Sequence, residues 1–185
     1  MESKEGKKQQ DPQSGRETSG VAVGPLATGK GRTAAGEKQI MKARVVLPGG
    51  GRHLDVLGIE HRITVAAEDT GGAYALVEIV NAPGLGIPPH VHANEEETFH
   101  VLEGNVTFQV GEESLVASPG TTVHLPRGVP HRFAAEGTAP ARMLLVLSPA
   151  GLERMFQELS ELPGGGPPDL DKVAAICARY GIRFV

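Results

Sequence analysis

From Lys42 to Pro149 the chain is written in short β-like runs cut by turn residues, a rhythm that restricts its fold more than any other feature. "ARVVL" stops at "PGGG", "HRITVAA" at "EDTGG", "AYALVEIV" at "NAPGLG" and "TFHVLE" at Gly104. "VTFQV", "SLVA", "TTVHL", "HRFAA" and "ARMLLVL" follow, each closed by Gly, Pro or an acidic turn. Nine runs at roughly ten-residue spacing mark an all-β sandwich or barrel. No long helix separates them, so βαβ units and a parallel sheet are not expected. The 25 Gly and 14 Pro fit this reading, since both residues punctuate short segments.

The flanks differ from this core. Residues 1–40 hold seven Lys/Arg, five Asp/Glu and no aromatic residue. Such a segment buries too little apolar surface to offset its ordering entropy, so a disordered tail is expected. Within it, Gly24, Gly29 and Lys30 imitate a phosphate loop, but Gly31 stands where Ser or Thr is required and no strand precedes it. The tail reads as a polar linker, and Met41, where organised sequence begins, as a candidate native start. After Pro149 the period changes. Leu152, Met155, Phe156 and Leu159 fall at i, i+3, i+4 and i+7, predicting an amphipathic helix with Pro149 in its first turn. A second helix is predicted from "LDKVAAICARY", with Asp169 as N-cap, Gly181 as terminator and Leu170, Val173, Cys177 and Tyr180 on one face. Three zones result: a tail over 1–40, a β-barrel over 41–149 and a helical extension over 150–185 packed on the barrel. "IRFV" is left as an edge strand or docked coil.

A net charge of −4 opposes a nucleic-acid partner, and no apolar run reaches the ~18 residues of a membrane span. A single cysteine, Cys177, rules out an intrachain disulfide and suits a reducing cytoplasm, with the thiol packed on a helix face.

Chemistry concentrates in "GLGIPPHVHANEEETFHVLEG". On a strand His90 and His92 point to one face. A turn at "ANEE" then brings an antiparallel neighbour whose glutamates reach the same face, and His131, after the Pro126-Arg127-Gly128 turn, adds a third imidazole. Imidazoles with one carboxylate suit Fe, Mn, Ni, Co, Cu or Zn rather than Ca or Mg. His53, His61, His100 and His124 are expected to be solvated or supporting groups, the last two by their phase relative to the neighbouring ligands.

Those residues resemble the two signatures of the cupin superfamily. Gly84, His90, His92, Glu97 and Gly104 fill the first, and Gly120, Pro126, Gly128 and His131 the second, with fifteen residues between them. Where the second signature often closes on Asn, this chain has Ala135; that position is not a ligand. Glu97 rather than Glu96 keeps six residues to Gly104 and shares phase with Phe99 and Val101. The resemblance implies a single-domain double-stranded β-helix, or jelly-roll barrel, holding one divalent transition metal on His90, His92, Glu97 and His131. Phe99, Val101 and Phe133 would wall the substrate pocket.

"PPHVH", "VLEGNVTFQV", "VHLPRGVPHRF", "LVLSPAGLERMF" and "ARYGI" are further similar to the quercetin (flavonol) 2,3-dioxygenase-like branch. That implies O₂-dependent oxidation of a small enol or flavonol-type substrate, with Glu97 handling its proton. The alternatives are a non-enzymatic small-ligand sensor and a metal-dependent isomerase of a sugar or keto acid. A homodimer is also expected, since exposed sheet edges favour pairing.

Overall fold

A computed structural model describes residues 43–164 and 166–185. The expected tail, its phosphate-loop imitation and the Met41 start lie outside the described residues. In chain order the elements are β1 (Arg52–Val56), β2 (Ile59–Val65), α1 (Ala67–Thr70), β3 (Ala75–Asn81), β4 (Gly86–His92), β5 (Glu96–Glu103) and β6 (Asn105–Val110). They continue with β7 (Glu113–Ala117), β8 (Thr122–Leu125), β9 (His131–Glu136), β10 (Ala141–Ser148), α2 (Glu153–Ser160), α3 (Leu170–Arg179) and β11 (Ile182–Phe184).

The strands form two antiparallel sheets, β1-β2-β3-β10-β5-β8 and β11-β4-β9-β6-β7. Their inner faces are made by strict alternation. Along β10, Ala141, Met143, Leu145 and Leu147 are buried while Arg142, Leu144 and Val146 are not. The same period places Val77 and Ile79 of β3, Phe99 and Val101 of β5, and Val106 and Phe108 of β6 in one core. The expected all-β jelly-roll architecture is what the chain adopts.

Two departures concern the start of the barrel. "ARVVL" (residues 43–47) forms no strand, and Val45 and Leu47 are exposed. Instead Arg52–Val56 pairs with β2 through a tight turn, Val56 opposite Ile59. Leu57 and Gly58 both take positive φ, 55° and 88°, as a two-residue primed turn requires. Asp55 steadies it by accepting a hydrogen bond from Gly58 N at 2.7 Å. Leu at the first turn position hides the usual Asn-Gly signal, so β1 (Arg52–Val56) is not among the runs read from the sequence.

The helices differ in detail from expectation. Helix α2 begins at Glu153, not Pro149, because Glu153 itself ties down the approach. Its buried carboxylate accepts from Ala67 N at 2.9 Å and Gly151 N at 2.7 Å. In α3, Asp169 caps Lys172 N at 3.2 Å, and Gly181 follows the helix at φ 77°. Val173, Ile176 and Cys177 face inward, whereas Leu170, expected on that face, is 72% exposed. It is the first residue of the helix, next to the Asp169 cap. Leu152, Met155, Phe156 and Leu159 join the β-sheet core, so the helices close one mouth of the barrel. Burial raises the pKa of the Cys177 thiol, consistent with a packed rather than reactive group. No helix among the described residues is long and apolar enough to cross a membrane.

Candidate metal centre

β4 and β9 carry the imidazoles. Their register pairs His90 with His131 directly across the sheet, and His92 lies two residues further along the same face. The backbone enforces close approach here. A Cβ on Gly86 would lie 2.0 Å from the Phe133 carbonyl oxygen, so only glycine lets β4 lie this near β9. The Pro-x-Gly turn is anchored as well, with Gly128 N donating to His92 O at 2.8 Å.

Glu97 arrives by a different route from the one expected. β5 is not a neighbour of β4; it belongs to the facing sheet, between β10 and β8. Residues 93–95 carry the chain across the barrel, and Glu97 then points inward from the opposite wall. Sequence phase gave the correct side of β5 but could not give the sheet, because a short connection serves a hairpin and a crossing equally well.

The four side chains converge. Each offers a ligand atom, all within 4.8 Å of one another, and all four residues are buried. Glu97 Oε2 lies 3.3 Å from His131 Nε2 and 3.7 Å from His92 Nε2. The imidazole centroids are 4.4 Å (His90–His131), 4.9 Å (His90–His92) and 5.2 Å (His92–His131) apart. His90 Nδ1 donates to Pro88 O at 2.8 Å and His131 Nδ1 to Val129 O at 3.0 Å, when each neutral ring carries its proton there. Those bonds leave both Nε2 lone pairs aimed inward.

Burial, reinforced by His131, pushes the pKa of His90 down to about 4, so its ring is neutral at pH 7. Burial opposes ionisation of Glu97, but His131 contact and the fields of His92 and His90 prevail and hold its carboxyl below the ordinary range. A neutral His90 ring and an ionised Glu97 carboxylate, with the imidazoles of His92 and His131 beside them, thus face a common centre suited to a cation.

His92 Nδ1 and Nε2, His131 Nε2 and Glu97 Oε2 are buried without a hydrogen-bond partner. Native proteins rarely leave so many polar atoms unpaired in one place. A divalent transition metal satisfies the inward-facing ones at once, and the N₃O donor set fits it. Glu95, overlooked in the sequence, completes the surroundings: it is buried, and its Oε2 stands 3.8 Å from His92 Nδ1. His92 therefore has a carboxylate behind it where His90 and His131 have backbone carbonyls. Glu96 faces outward to Arg127 at 3.1 Å.

A cavity of about 550 Å³ opens on the cluster. His90, His92 and Glu97 line it with Phe99 and Phe133, whose centroids are 4.9 Å apart, and Phe108 packs beneath both. Val101 faces inward but does not reach the cavity. It sits four residues beyond Glu97, wholly enclosed in the core. The other wall comes from Met155, Phe156 and Cys177 of the helices. His61 also lines it, 4% exposed, although its phase with Ile59 and Ile63 was a readable sign that it faces inward. His100 and His124 remain on the outer face, bonded to Thr122 and Thr98 at 2.9 and 3.0 Å. His53 is exposed, its ring bonded to Gly49 O.

Comparison with known proteins agrees with this geometry. Residues 77–147 match the family model described as "Cupin domain". Quercetin 2,3-dioxygenase of Bacillus subtilis (strain 168) is 30% identical over 101 residues, covering 55% of this chain but only 30% of that protein. Tetracenomycin polyketide synthase protein TcmJ of Streptomyces glaucescens is 28% identical over 103 residues, covering 54% of this chain and 68% of that protein. Among solved structures, KdgF from Halomonas sp. superposes with a TM-score of 0.55 at 18% identity, covering 61% of this chain and 99% of that one. An RmlC-like cupin from Shewanella frigidimarina gives 0.53 at 16% identity, covering 61% and 96%; these two likenesses concern the fold alone. With both signature stretches folded into one double-sheet barrel around a His₃Glu cluster, residues 77–147 form a cupin domain.

Proposed function

We propose that this protein is a metal-dependent oxidoreductase of the dioxygenase type, acting on a small enol or flavonol-like substrate. One observation carries the reading: three imidazoles and one carboxylate converge at the base of a largely apolar cavity whose lining, among the described residues, contains neither Lys nor Arg. A divalent transition metal held by His90, His92, Glu97 and His131 supplies Lewis-acid polarisation of a substrate oxygen and an electron route to O₂. O₂ is the oxidant and both its atoms enter the product, so no external reductant is needed. Among the lining residues Glu97 is the one carboxylate at the cluster, Asp171 being exposed on α3. Glu97 accepts the enol proton and returns it to the product. Phe99, Phe133 and Phe156 exclude water, which strengthens every charge interaction at the cluster.

The 30% identity to a quercetin 2,3-dioxygenase supports the reaction class. The missing Lys and Arg weigh against a sugar or keto-acid isomerase, whose anionic substrate needs a cationic partner in the cavity. The test is O₂ uptake by the metal-reconstituted protein against a panel of flavonols and enediols. Uptake that disappears in His92→Ala is the expected result. Tight flavonol binding without uptake under any metal overturns the oxidoreductase reading in favour of a ligand-binding cupin.

A homodimer joined through the outer face of the six-stranded sheet belongs to the same proposal. Leu76, Leu144 and Val146 stand only partly covered there, with Leu76 opposite Val146. Light scattering at monomer mass refutes it.

A further inference from the structure

The metal cluster uses three of the polar side chains that line the cavity, His90, His92 and Glu97, and leaves His61 without a role. His61 sits on β2, in the register row Leu54–His61–Ile79–Met143–Val101 that crosses β1, β2, β3, β10 and β5. Three inter-strand steps, about 14 Å along the sheet, separate its backbone from the strand that carries Glu97. The imidazole is thus a second polar point on another part of the wall.

Its ring is fixed on two sides. Nδ1 lies 3.1 Å from the Ile59 carbonyl oxygen, which can only accept, so Nδ1 carries the proton. Phe156 of α2 packs against the ring, centroids 4.6 Å apart and planes tilted by 50°. Burial lowers the pKa of His61, which keeps the ring neutral at pH 7. In a neutral ring protonated at Nδ1, Nε2 is a bare lone pair. Among the described residues no group hydrogen-bonds it, while the residue lines the cavity. Ile59 and Ile63, its neighbours in phase, show that the fold accepts an aliphatic residue on this face. An imidazole here serves the cavity rather than the core.

We infer that His61 is a ligand-binding residue whose Nε2 accepts a hydrogen bond from a hydroxyl group of the substrate, while another oxygen of that substrate meets the His90–His92–Glu97–His131 cluster. This deepens, and for its metal-facing end rests on, the proposed function above. The substrate class follows from the lining. The lining shared by the two polar points includes Ile79, Phe99, Phe133 and Leu145, and among the described residues it holds no Lys or Arg. The fitting molecule is small, mainly apolar and uncharged at its far end, with a hydroxyl donor there. Carboxylates and phosphates at that end meet a lone pair and are rejected.

The experiment compares 4-fluorophenol with 4-fluorotoluene, near-isosteric probes that differ in one hydroxyl donor. Binding to the zinc-loaded full chain is followed by ¹⁹F NMR for wild type, His61→Phe and His61→Gln. The wild type should prefer the phenol by about fivefold, the worth of one net hydrogen bond. His61→Phe should abolish that preference while holding 4-fluorotoluene within about twofold, and His61→Gln, with an amide oxygen as acceptor, should retain most of it. Equal affinity of the wild type for both probes overturns the assignment. So does a preference that survives in His61→Phe, since the hydroxyl is then read elsewhere. Zinc content, measured on the same samples, reports separately on the metal reading: a wild type without zinc sinks that reading, while the phenol–toluene comparison still decides His61.

Discussion

Loading the cluster with zinc should raise the melting temperature by an amount that follows from its unpaired atoms. His92 Nε2, His131 Nε2 and Glu97 Oε2 face one another, buried and without hydrogen bonds. Each such atom costs about 1–3 kcal/mol, so roughly 3–9 kcal/mol of unfavourable desolvation awaits a cation. Measured linkage is bounded by concentration: with free Zn²⁺ a thousandfold above Kd the native state gains about 4 kcal/mol. At roughly 2–4 °C per kcal/mol for a chain of this size, the shift is about 8–16 °C. Scanning calorimetry on chelator-treated protein, before and after zinc, reads it directly. His131→Ala removes one ligand without disturbing His53, His100 and His124, which lie outside the cluster, and should lose most of the shift. A rise below about 2 °C in wild type, or an equal rise in His131→Ala, would show that zinc binds elsewhere and would refute the convergence argument.

Glu95→Gln should weaken zinc binding by about 10- to 100-fold, measured by competition with a chromophoric chelator, because His92 loses the carboxylate behind its Nδ1; unchanged affinity would assign Glu95 to packing alone. Glu153→Ala strands the N–H groups of Ala67 and Gly151 and should cost about 2–4 kcal/mol in urea unfolding; a change under ~0.5 kcal/mol would mean that the α2 approach holds itself. Metal-free protein should lose stability on acidification from pH 6.5 towards 4. Over that window the unfolded chain protonates His90 while the native ring, with its pKa pushed down to about 4, does not. The unfolded state binds more protons there, so stability drops as the pH is lowered, and the gap from 6.5 corresponds to roughly 3 kcal/mol at most. Urea midpoints flat across pH 6.5–4 would contradict the buried, neutral state of His90.

Strand periodicity is a local property, and it is where sequence speaks most directly. The phase of His90 with His92, of Glu97 with Phe99, and of His131 with Phe133 follows from alternation within one strand, and each pair faces inward. The two helices were legible for the same reason, because Met155, Phe156 and Val173 keep a 3.6-residue period. Misplacement began where the local signal was atypical: Leu57 in a positive-φ turn masked the β1–β2 hairpin.

Residue spacing therefore determined which side chains point inward and that histidines and a carboxylate occur in metal-binding proportion, while the cupin barrel was implied by the resemblance of two signature stretches. Tertiary structure alone decided which sheet each one belongs to. Only there does His131 become the cross-strand partner of His90, Glu97 approach from the opposite wall, and Glu95 stand behind His92. His61 and Phe156 likewise meet across some ninety-five residues of chain to close the cavity. The reason is physical: alternation is fixed by the covalent geometry of a strand, whereas strand order is chosen by the burial of all the inward faces together.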